Sequence, residues 1–371
     1  MIIGIPKEIL KGEARVAATP ETVKKFAARG FELVVEKGAG KGAHFTDAQY
    51  RDAGASIGDA DAALGADIVL KVNKPTAAEA KKLKKGAVLA ALLDPCKADS
   101  VIKALARGGV SAFSMEKIPR ISRAQSMDVL SSQANIGGYR AVLESTAHYK
   151  RFFPMMMTSA GSAKPAKVIV LGVGVAGLQA IATARRLGAQ VEAFDVRPET
   201  REQVLSLGAK FIDLDLGESG SGEGGYAKEL SDEAKKKQQE LLTERYGQAD
   251  VIITTALIPC RPAPILVTAK AVSLMKPGSV IIDMAAANGG NCELTRADKV
   301  VVKGGVSIVG HTNYPSMMAT DASAFFARNH YNFLELLMDA DDNGVKLRDF
   351  FEDEITKAAL ITHDGKLLLE D

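Results

Sequence analysis

The sequence has little of what nucleic-acid or membrane partners require. It contains no Trp, and aromatic residues make up only 5% of its 371 residues, which leaves few rings on which bases could stack. The 47 Lys and Arg residues are almost balanced by 45 Asp and Glu, so the net charge of +2 gives no field that attracts a polyanion. The longest uncharged stretch, between Lys167 and Arg185, is shorter than the roughly 20 residues of a membrane span and contains glycines. We therefore expect no nucleic-acid partner and no direct membrane span.

Cysteine is also scarce, and a targeting segment is lacking. Cys96, Cys260 and Cys292 are far apart and form no Cys-x-x-Cys or Cys/His pattern, so the sequence indicates neither a disulfide framework nor a zinc site. The five histidines show no mutual ligand spacing, and we expect no metal. The N-terminus has no basic stretch followed by an apolar run and a small-residue cleavage site. These features predict a cytoplasmic protein.

Glycine, by contrast, is abundant, and the chain alternates short apolar runs with amphipathic segments. The 34 glycines punctuate two series of such runs, which is the pattern of β-α-β units and a parallel sheet. Strands are predicted at 2–5, 31–35, 67–72, 87–92 and 110–114, and then at 167–171, 190–194, 210–212, 250–254, 280–283 and 307–309. The fold class is therefore α/β, with two doubly wound Rossmann-like domains joined by two linking helices and a ligand-binding cleft between them.

Two helical patterns suggest how the domains are joined. One runs from about 129 to 153 and is stopped by Pro154, and the other runs from about 317 to 338. The first domain is then discontinuous, 1–130 plus 318–371, and the second covers 131–317. The second domain includes a Gly- and Ser-rich insertion, 217–226, that buries too little to stay ordered alone and should be a mobile loop. Met155, Met156 and Met157 are expected to fill the core, and 361–369 should form a hairpin.

The strongest local signal is the stretch Gly172-Val-Gly-Val-Ala-Gly-Leu. It follows an apolar strand and opens a helix, which is the context that a dinucleotide fingerprint requires. Gly172 allows the tight turn, Gly174 allows the backbone to approach a pyrophosphate, and Gly177 allows helix and strand to pack closely. The pyrophosphate would then lie at the helix N-terminus.

The acidic partner of this fingerprint also appears at the expected distance. Asp195 ends the next predicted strand, and its carboxylate is placed to accept from both hydroxyls of an adenosine ribose. A 2′-phosphate would meet that negative charge, although Arg197 would soften the contact. NAD(H) is therefore favoured over NADP(H). The first domain lacks a comparable glycine triplet, so one dinucleotide per chain is expected.

Several segments together resemble a known family. They are 119–135 (Pro119-Arg-Ile-Ser-Arg-Ala-Gln-Ser-Met-Asp and onward), 153–158, the fingerprint 172–184, 224–229 and 254–259. In combination they resemble the NAD(H)-binding component of proton-translocating NAD(P) transhydrogenase, a branch of the alanine dehydrogenase/transhydrogenase superfamily. The resemblance spans nearly the whole chain.

The resemblance implies an activity that needs partner subunits. In that family this component binds NAD(H) and exchanges a hydride directly with NADP(H) held by a separate subunit, while a membrane subunit couples the reaction to proton translocation. By the same resemblance the chain would form a homodimer and would lie peripherally at the inner membrane through those partners.

The resemblance also assigns roles to individual residues. Arg120, Gln125 and Asp128 would be the catalytic residues at the nicotinamide end, with Gln125 where the two nicotinamides meet and Ser131 holding the carboxamide. The other implied nucleotide contacts are Gly172, Gly174, Val175 and Gly177 at the pyrophosphate, Asp195, Val196 and Arg197 at the adenosine ribose, Gly225 and Tyr226 in a loop that closes over the nucleotide, and Leu257 beside it.

Two other functions remain open at this stage. Alanine dehydrogenases share the opening residues Glu8 and Arg15, and Lys71 is also retained, but the family's proton-transferring His and Asp fall on Asp94 and Ala287. Oxidation of an amino acid requires proton transfer, so these two positions disfavour an NAD-dependent amino-acid dehydrogenase. The second alternative is a non-catalytic NAD-sensing protein, which would bind NADH without passing on reducing equivalents.

Overall fold

A computed structural model of the chain describes residues 1–96, 98–222, 230–341 and 344–369. The chain divides into two compact units: unit 1 consists of 1–133 and 315–371, and unit 2 of 134–314. Among the described residues, no helix combines the length and the apolar character that crossing a membrane requires.

Unit 1 is built on one sheet. Its strands are β1 (Ile2–Ile5), β2 (Glu32–Glu36), β3 (Ser56–Gly58), β4 (Ile68–Asn73), β5 (Val88–Leu92) and β6 (Ser111–Ser114), to which the C-terminal segment adds β18 (Leu360–His363) and β19 (Lys366–Leu367). The order across the sheet is β19-β18-β6-β5-β4-β1-β2-β3. The first six strands are parallel, and β18 and β19 form an antiparallel edge.

Helices cover this sheet, and the chain carries clear signals for their ends. The helices are α1 (Pro20–Ala28), α2 (Asp47–Asp52), α3 (Ala60–Leu64), α4 (Ala77–Ala80), α5 (Ser100–Arg107), α11 (Ala319–Leu336) and α12 (Glu354–Ala359). The first has Thr19 at its N-cap and Pro20 at its first position, and Gly30 follows its end at φ +87°. Unit 1 also contains a small hairpin, β16 (Met338–Asp341) and β17 (Gly344–Leu347).

Unit 2 contains the second sheet. Its strands are β9 (Lys167–Leu171), β10 (Gln190–Phe194), β11 (Lys210–Phe211), β12 (Val251–Thr254), β13 (Val280–Asp283), β14 (Val300–Lys303) and β15 (Val306–Val309), preceded by a separate hairpin, β7 (Met156–Thr158) and β8 (Gly161–Ala163). The order β11-β10-β9-β12-β13-β15-β14 is parallel except for β14. The helices are α7 (Val175–Arg186), α8 (Thr200–Ser206), α9 (Asp232–Tyr246) and α10 (Ala269–Leu274). Helix α6 (Val129–His148) contains the boundary between the units.

In unit 2, alternate residues of a strand face opposite layers of apolar side chains. Val168 and Val170 of β9 belong to one buried cluster, and Ile169 and Leu171 belong to another. Such two-sided burial explains why the strand is an unbroken apolar run. The strand order reverses between β9 and β12, and in doubly wound sheets ligands bind at the carboxyl ends of the strands beside this reversal.

Three sequence-based predictions about elements are wrong. Helix α6 ends at His148 rather than at 153, because Tyr149 and Phe153 turn inward and stack edge to face in the core with ring centroids 5.9 Å apart. The methionines of 155–157 are exposed on the β7–β8 hairpin instead of filling the core, and Met157 is 75% exposed. The sequence pattern taken alone predicts a helix from Tyr226 to Arg245, but helix α9 begins at Asp232 behind the N-cap residue Ser231.

The expectation of no disulfide is also wrong. Cys96 and Cys260 are both disulfide-bonded, whereas Cys292 is a free thiol whose pKa is raised to about 11 by burial. Cysteine spacing along the chain does not report distances in the fold, which is why no pairing could be inferred from it.

Candidate nucleotide-binding site

The glycine turn of unit 2 follows β9 directly. Gly172 has φ +94°, a conformation that side-chain-bearing residues rarely adopt, and its amide donates to the carbonyl of Phe194 at 2.9 Å. A Cβ at Gly172 would lie 2.7 Å from Oγ1 of Thr255, which follows β12. The turn is therefore enclosed by the ends of β10 and β12, the two strands on either side of β9.

The next two glycines open helix α7. Gly174 is its N-cap residue, and a Cβ there would meet nothing within 4 Å, so the backbone is accessible from outside. Val175 is the first residue of the helix and is half-buried. A Cβ at Gly177 would lie 1.9 Å from the carbonyl oxygen of Gly172, so only glycine permits this packing of turn against helix. An accessible helix N-terminus after a buried strand fits the phosphates of a dinucleotide.

Asp195 follows β10 and is the hydrogen-bonding centre of this region of the site. Its Oδ2 accepts from the amide of Val173 at 2.7 Å and from Nη2 of Arg197 at 2.8 Å, and its Oδ1 accepts from the amide and Nε of Arg197, both at 2.9 Å. These hydrogen bonds raise the pKa of the Arg197 guanidinium. Asp195 thus joins the glycine turn to Arg197.

The loop segment that contains Gly220 and Ser221 covers Val196, the residue between Asp195 and Arg197. The amide of Gly220 donates to the carbonyl of Val196 at 3.0 Å, and a Cβ at Gly220 would lie 2.3 Å from Cγ2 of Val196. Ser221 Oγ donates to Glu199 at 2.8 Å. The described portion of the predicted mobile loop is therefore anchored against Val196. Gly225 and Tyr226 lie outside the described residues.

The loop after β12 carries Leu257 and is held by residues that could not be identified from the sequence. Asn291, fully buried, accepts from the amide of Ala256 at 3.1 Å and donates to the carbonyls of Ala256 and Pro264 at 2.9 and 2.8 Å. Leu257 itself is 44% exposed. Buried Asp283 accepts four hydrogen bonds around Asn291, from Thr254, Ala285, Cys292 and Thr295. The glycine pair before Asn291 is a turn signal, but its long-range partners cannot be inferred from it.

The residues predicted for the nicotinamide end lie together in unit 1. They occupy a 3-10 helix, Ser122–Met127, and its flanks. Three residues per turn place Ala124 and Met127 on one buried face, so the side chain of Gln125 is exposed. Arg120, which precedes the helix, is also exposed. The contacts of Arg123 with Asp353 at 2.6 and 3.0 Å fasten this segment to the start of α12.

Asp128 and Ser131 form the N-terminal cap of α6. The Asp128 carboxylate accepts from the amide of Ser131 at 2.8 Å and from its Oγ at 2.6 Å. This cap fixes both side chains relative to the helix. Arg120, Gln125, Asp128 and Ser131 therefore form one group in unit 1, and the glycines, Asp195, Val196, Arg197 and Leu257 belong to unit 2.

Unit 1 also contains a buried group of charged side chains. Lys71 Nζ lies 2.8 Å from Oε1 of Glu79 and 3.6 Å from Oε2 of Glu8, and Lys71 and Glu8 are almost fully buried. Burial raises the pKa of Glu8, although the charge of Lys71 opposes the shift. Nearby in sequence, Arg15 makes a two-pronged contact with Glu13 at 2.8 and 2.7 Å. Burial opposes ionisation of Glu13, but Arg15 outweighs it and lowers the pKa to about 2.

Comparisons with known proteins cover the whole chain. The model of the alanine dehydrogenase/PNT N-terminal domain matches residues 4–137, and that of the C-terminal domain matches residues 141–370. The chain is 51% identical over 377 aligned residues to an NAD(P) transhydrogenase alpha subunit of Rhodospirillum rubrum, with 99% of this chain and 98% of the relative covered. It is 30% identical to alanine dehydrogenase of Mycolicibacterium smegmatis, covering 100% and 95%.

A solved structure agrees with these matches. The transhydrogenase of Sinorhizobium meliloti superposes with a TM-score of 0.90 at 48% identity and covers 99% of this chain and 100% of that one. Both predicted features, the parallel-sheet α/β fold and the resemblance to transhydrogenase, are confirmed. The chain belongs to the alanine dehydrogenase/PNT family.

Proposed function

We propose that this chain is the NADH-binding subunit of a proton-translocating transhydrogenase, an oxidoreductase that acts only with partner subunits. The observation that carries the proposal is the combination of the glycine turn and Asp195 in unit 2 with the exposed Gln125 segment in unit 1. The similarity to proteins named as alpha subunits of NAD(P) transhydrogenase supports it. NADP(H) would be held by a separate subunit, and another subunit in the inner membrane would couple the reaction to proton translocation.

The unit 2 residues would bind the pyrophosphate and adenosine ends of NAD(H). The open N-terminus of α7, from Gly174 and Val175, would receive the pyrophosphate. Asp195 would accept from the ribose hydroxyls. For this, at least one of the two hydrogen bonds from the Arg197 guanidinium to the carboxylate would have to break. A 2′-phosphate would face that carboxylate, and this supports NAD(H) over NADP(H) at this site. Val196 and Leu257 would lie beside the nucleotide, and Gly225 and Tyr226 would close over it.

The unit 1 residues would bind the nicotinamide end. When bound, NADH would supply a hydride to the second nicotinamide, and neither ring would gain or lose a proton. The residues around the nicotinamide therefore need only to position the ring, and no general acid or base is required. Arg120 and Asp128 supply charge, Ser131 supplies a hydroxyl for the carboxamide, and Gln125 supplies an amide on the exposed face where a partner subunit would approach.

The charged group of unit 1 argues against amino-acid oxidation by this chain. Arg15 and Lys71, the residues that would remain of a substrate pocket, are each paired with a buried carboxylate. Displacing such a pair leaves a buried charge uncompensated, which is strongly unfavourable. Asp94 and Ala287 in the expected proton-transfer positions add to this argument.

We also propose a homodimer that associates with the membrane only through its partners. The β7–β8 hairpin of unit 2 exposes Met155 and Met157, and Phe152 just before it is exposed as well. An isolated two-stranded hairpin is marginally stable in water, so an apolar one is best explained by a surface that covers it. A second copy of the chain is the partner that the family resemblance favours.

The decisive experiment mixes the chain with an NADP-binding transhydrogenase subunit and follows reduction of an NADP⁺ analogue by NADH, with NADPH as the control donor.

Gln125→Ala should slow the reaction at saturating NADH by roughly 100-fold, since small displacements of reacting groups cost about that much, while changing the Kd for NADH less than about threefold. Equal losses of rate and affinity would contradict the assigned role of Gln125. NAD⁺ reduction by alanine without a partner would identify a dehydrogenase, and NADH binding with no reaction would identify a sensor.

A further inference from the structure

The segment that carries Gln125 is held from one side by a helix to which no role has been assigned. The carbonyl oxygen of Ser126, the residue next to Gln125, accepts from Nδ2 of Asn329 at 2.8 Å and from Nδ2 of Asn332 at 3.0 Å. Both asparagines belong to α11, where residues three positions apart lie on the same face. One carbonyl thus receives two side-chain amides, an arrangement that fixes the direction of its peptide group.

Asn329 makes a second contact that encloses the same segment. Its Oδ1 accepts from Oγ of Ser132 at 2.7 Å, and the side chain is buried. One amide group therefore connects Ser126, at the end of the 3-10 helix, with Ser132, in the first turn of α6. Asp128 and Ser131 lie within the stretch that these two contacts span.

These hydrogen bonds meet a need created by the local fold. A 3-10 helix leaves its last carbonyls without partners inside the helix, and Ser126 lies in its last turn. Ala124 and Met127 bury one face of the helix, but apolar packing is non-directional and does not by itself fix the rotation of the Ser126 peptide group. The amides of α11 fix that rotation, and Gln125 is the exposed residue that precedes the bonded carbonyl.

We propose that Asn329 and Asn332 are positioning residues that hold the Gln125 segment in the orientation needed for transhydrogenation. The inference rests on the proposed function and names two residues that it did not include. Another side-chain tether of the segment, the ion pair of Arg123 with Asp353 and Glu354, is more exposed to solvent than Asn329. The buried amide of Asn329 is the stronger restraint, because a carbonyl that loses a buried partner is costly to leave unpaired.

The test uses Asn329→Asp and Asn332→Asp in the full chain combined with an NADP-binding subunit. Aspartate has nearly the same shape but cannot donate when ionised, and it would repel the carbonyl of Ser126. We expect Asn329→Asp to lower the rate at saturating NADH by 10-fold or more and Asn332→Asp, at a half-buried position, by about 2- to 5-fold. The Kd for NADH should change less than 3-fold in both. Faster amide hydrogen exchange should be confined to peptides covering residues 120–132.

Arg328→Gln is the matched control. It lies on the same helix next to Asn329, changes the charge by the same amount, and pairs with Glu21 instead of the Gln125 segment. Its rate should stay within 2-fold of the unmodified chain. If Asn329→Asp does not fold, Asn332→Asp carries the test, because its side chain is only partly enclosed.

Combination with Gln125→Ala separates positioning from a general structural role. If the asparagines act through Gln125, then adding Asn329→Asp, or Asn332→Asp in its place, to Gln125→Ala should cost no further rate. Losses that multiply, or unchanged rates in both single variants, would overturn the inference while leaving the proposed function intact. If Gln125→Ala alone leaves the rate unchanged, the role of Gln125 fails, and the inference fails with it.

Discussion

Two glycines of the same turn are required for different reasons. Gly177 packs against the backbone of Gly172, and a Cβ there would lie 1.9 Å from a carbonyl oxygen. Gly174 has φ −82°, which any residue adopts, and open space beside it. Gly177 is therefore needed for packing, whereas the fold does not require a glycine at position 174, where the proposed function places the approach of the pyrophosphate.

Alanine substitutions separate these two requirements. Gly177→Ala should destabilise the protein by roughly 3 kcal/mol, because a rigid backbone contact must open. Gly174→Ala should cost no more than about 1 kcal/mol, the usual effect at an N-cap, yet raise the Kd for NADH by 10-fold or more. Urea unfolding and calorimetric titration measure the two effects. A Gly174→Ala variant with normal affinity would mean that the pyrophosphate does not approach this turn.

Among the elements, buried strands could be predicted from the sequence and their surroundings could not. Lys167–Leu171 and Val280–Asp283 were predicted with the bounds that the structure has, because burial on both faces produces short apolar runs. The end of α6 was missed, since it depends on the packing of Tyr149 against Phe153. The exposed methionine hairpin was missed because an apolar run looks the same whether the protein core or another molecule covers it.

Some residues of the candidate site could likewise be predicted from the sequence, and others could not. The fingerprint glycines and Asp195 are close in sequence and could be predicted by their spacing. Asn291 donates to the carbonyl of Ala256, 35 positions before it, and Asn329 donates to the carbonyl of Ser126, 203 positions before it. Such contacts are set by the arrangement of strands and helices, so a single sequence carries no local signal for them.

The β7–β8 hairpin yields a prediction at the level of the element. Changing both Met155 and Met157 to Gln should shift the proposed homodimer to monomer at micromolar concentration, because it removes exposed apolar side chains without altering the core of unit 2. Light scattering after size-exclusion chromatography measures the mass. Leu274→Gln, an exposed leucine at the end of α10, is the control and should leave the dimer intact. A double variant that stays dimeric would place the interface elsewhere.

At the scale of the whole molecule, each of the two units carries the residues proposed to bind one end of the nucleotide. Each unit has its own sheet, and each of the four buried apolar clusters formed by the described residues belongs to one unit. Unit 2 is one continuous segment and contains the entire glycine turn, Asp195 and Asn291. Unit 1 is assembled from both ends of the chain and contains the Gln125 segment together with the α11 asparagines that hold it.

This division predicts that residues 134–314 fold alone and bind only one end of the nucleotide. The segment keeps a complete sheet with apolar layers on both faces, which is what a separate domain requires. ADP-ribose, which lacks the nicotinamide, should bind the segment and the full chain with Kd values within about threefold, because all of its proposed contacts are with residues of unit 2. NADH should bind the segment at least 10-fold more weakly than the full chain, since Arg120, Gln125, Asp128 and Ser131 are missing. Circular dichroism establishes folding and calorimetry gives both constants. A folded segment that binds NADH as tightly as the full chain would show that unit 1 does not contact the nicotinamide.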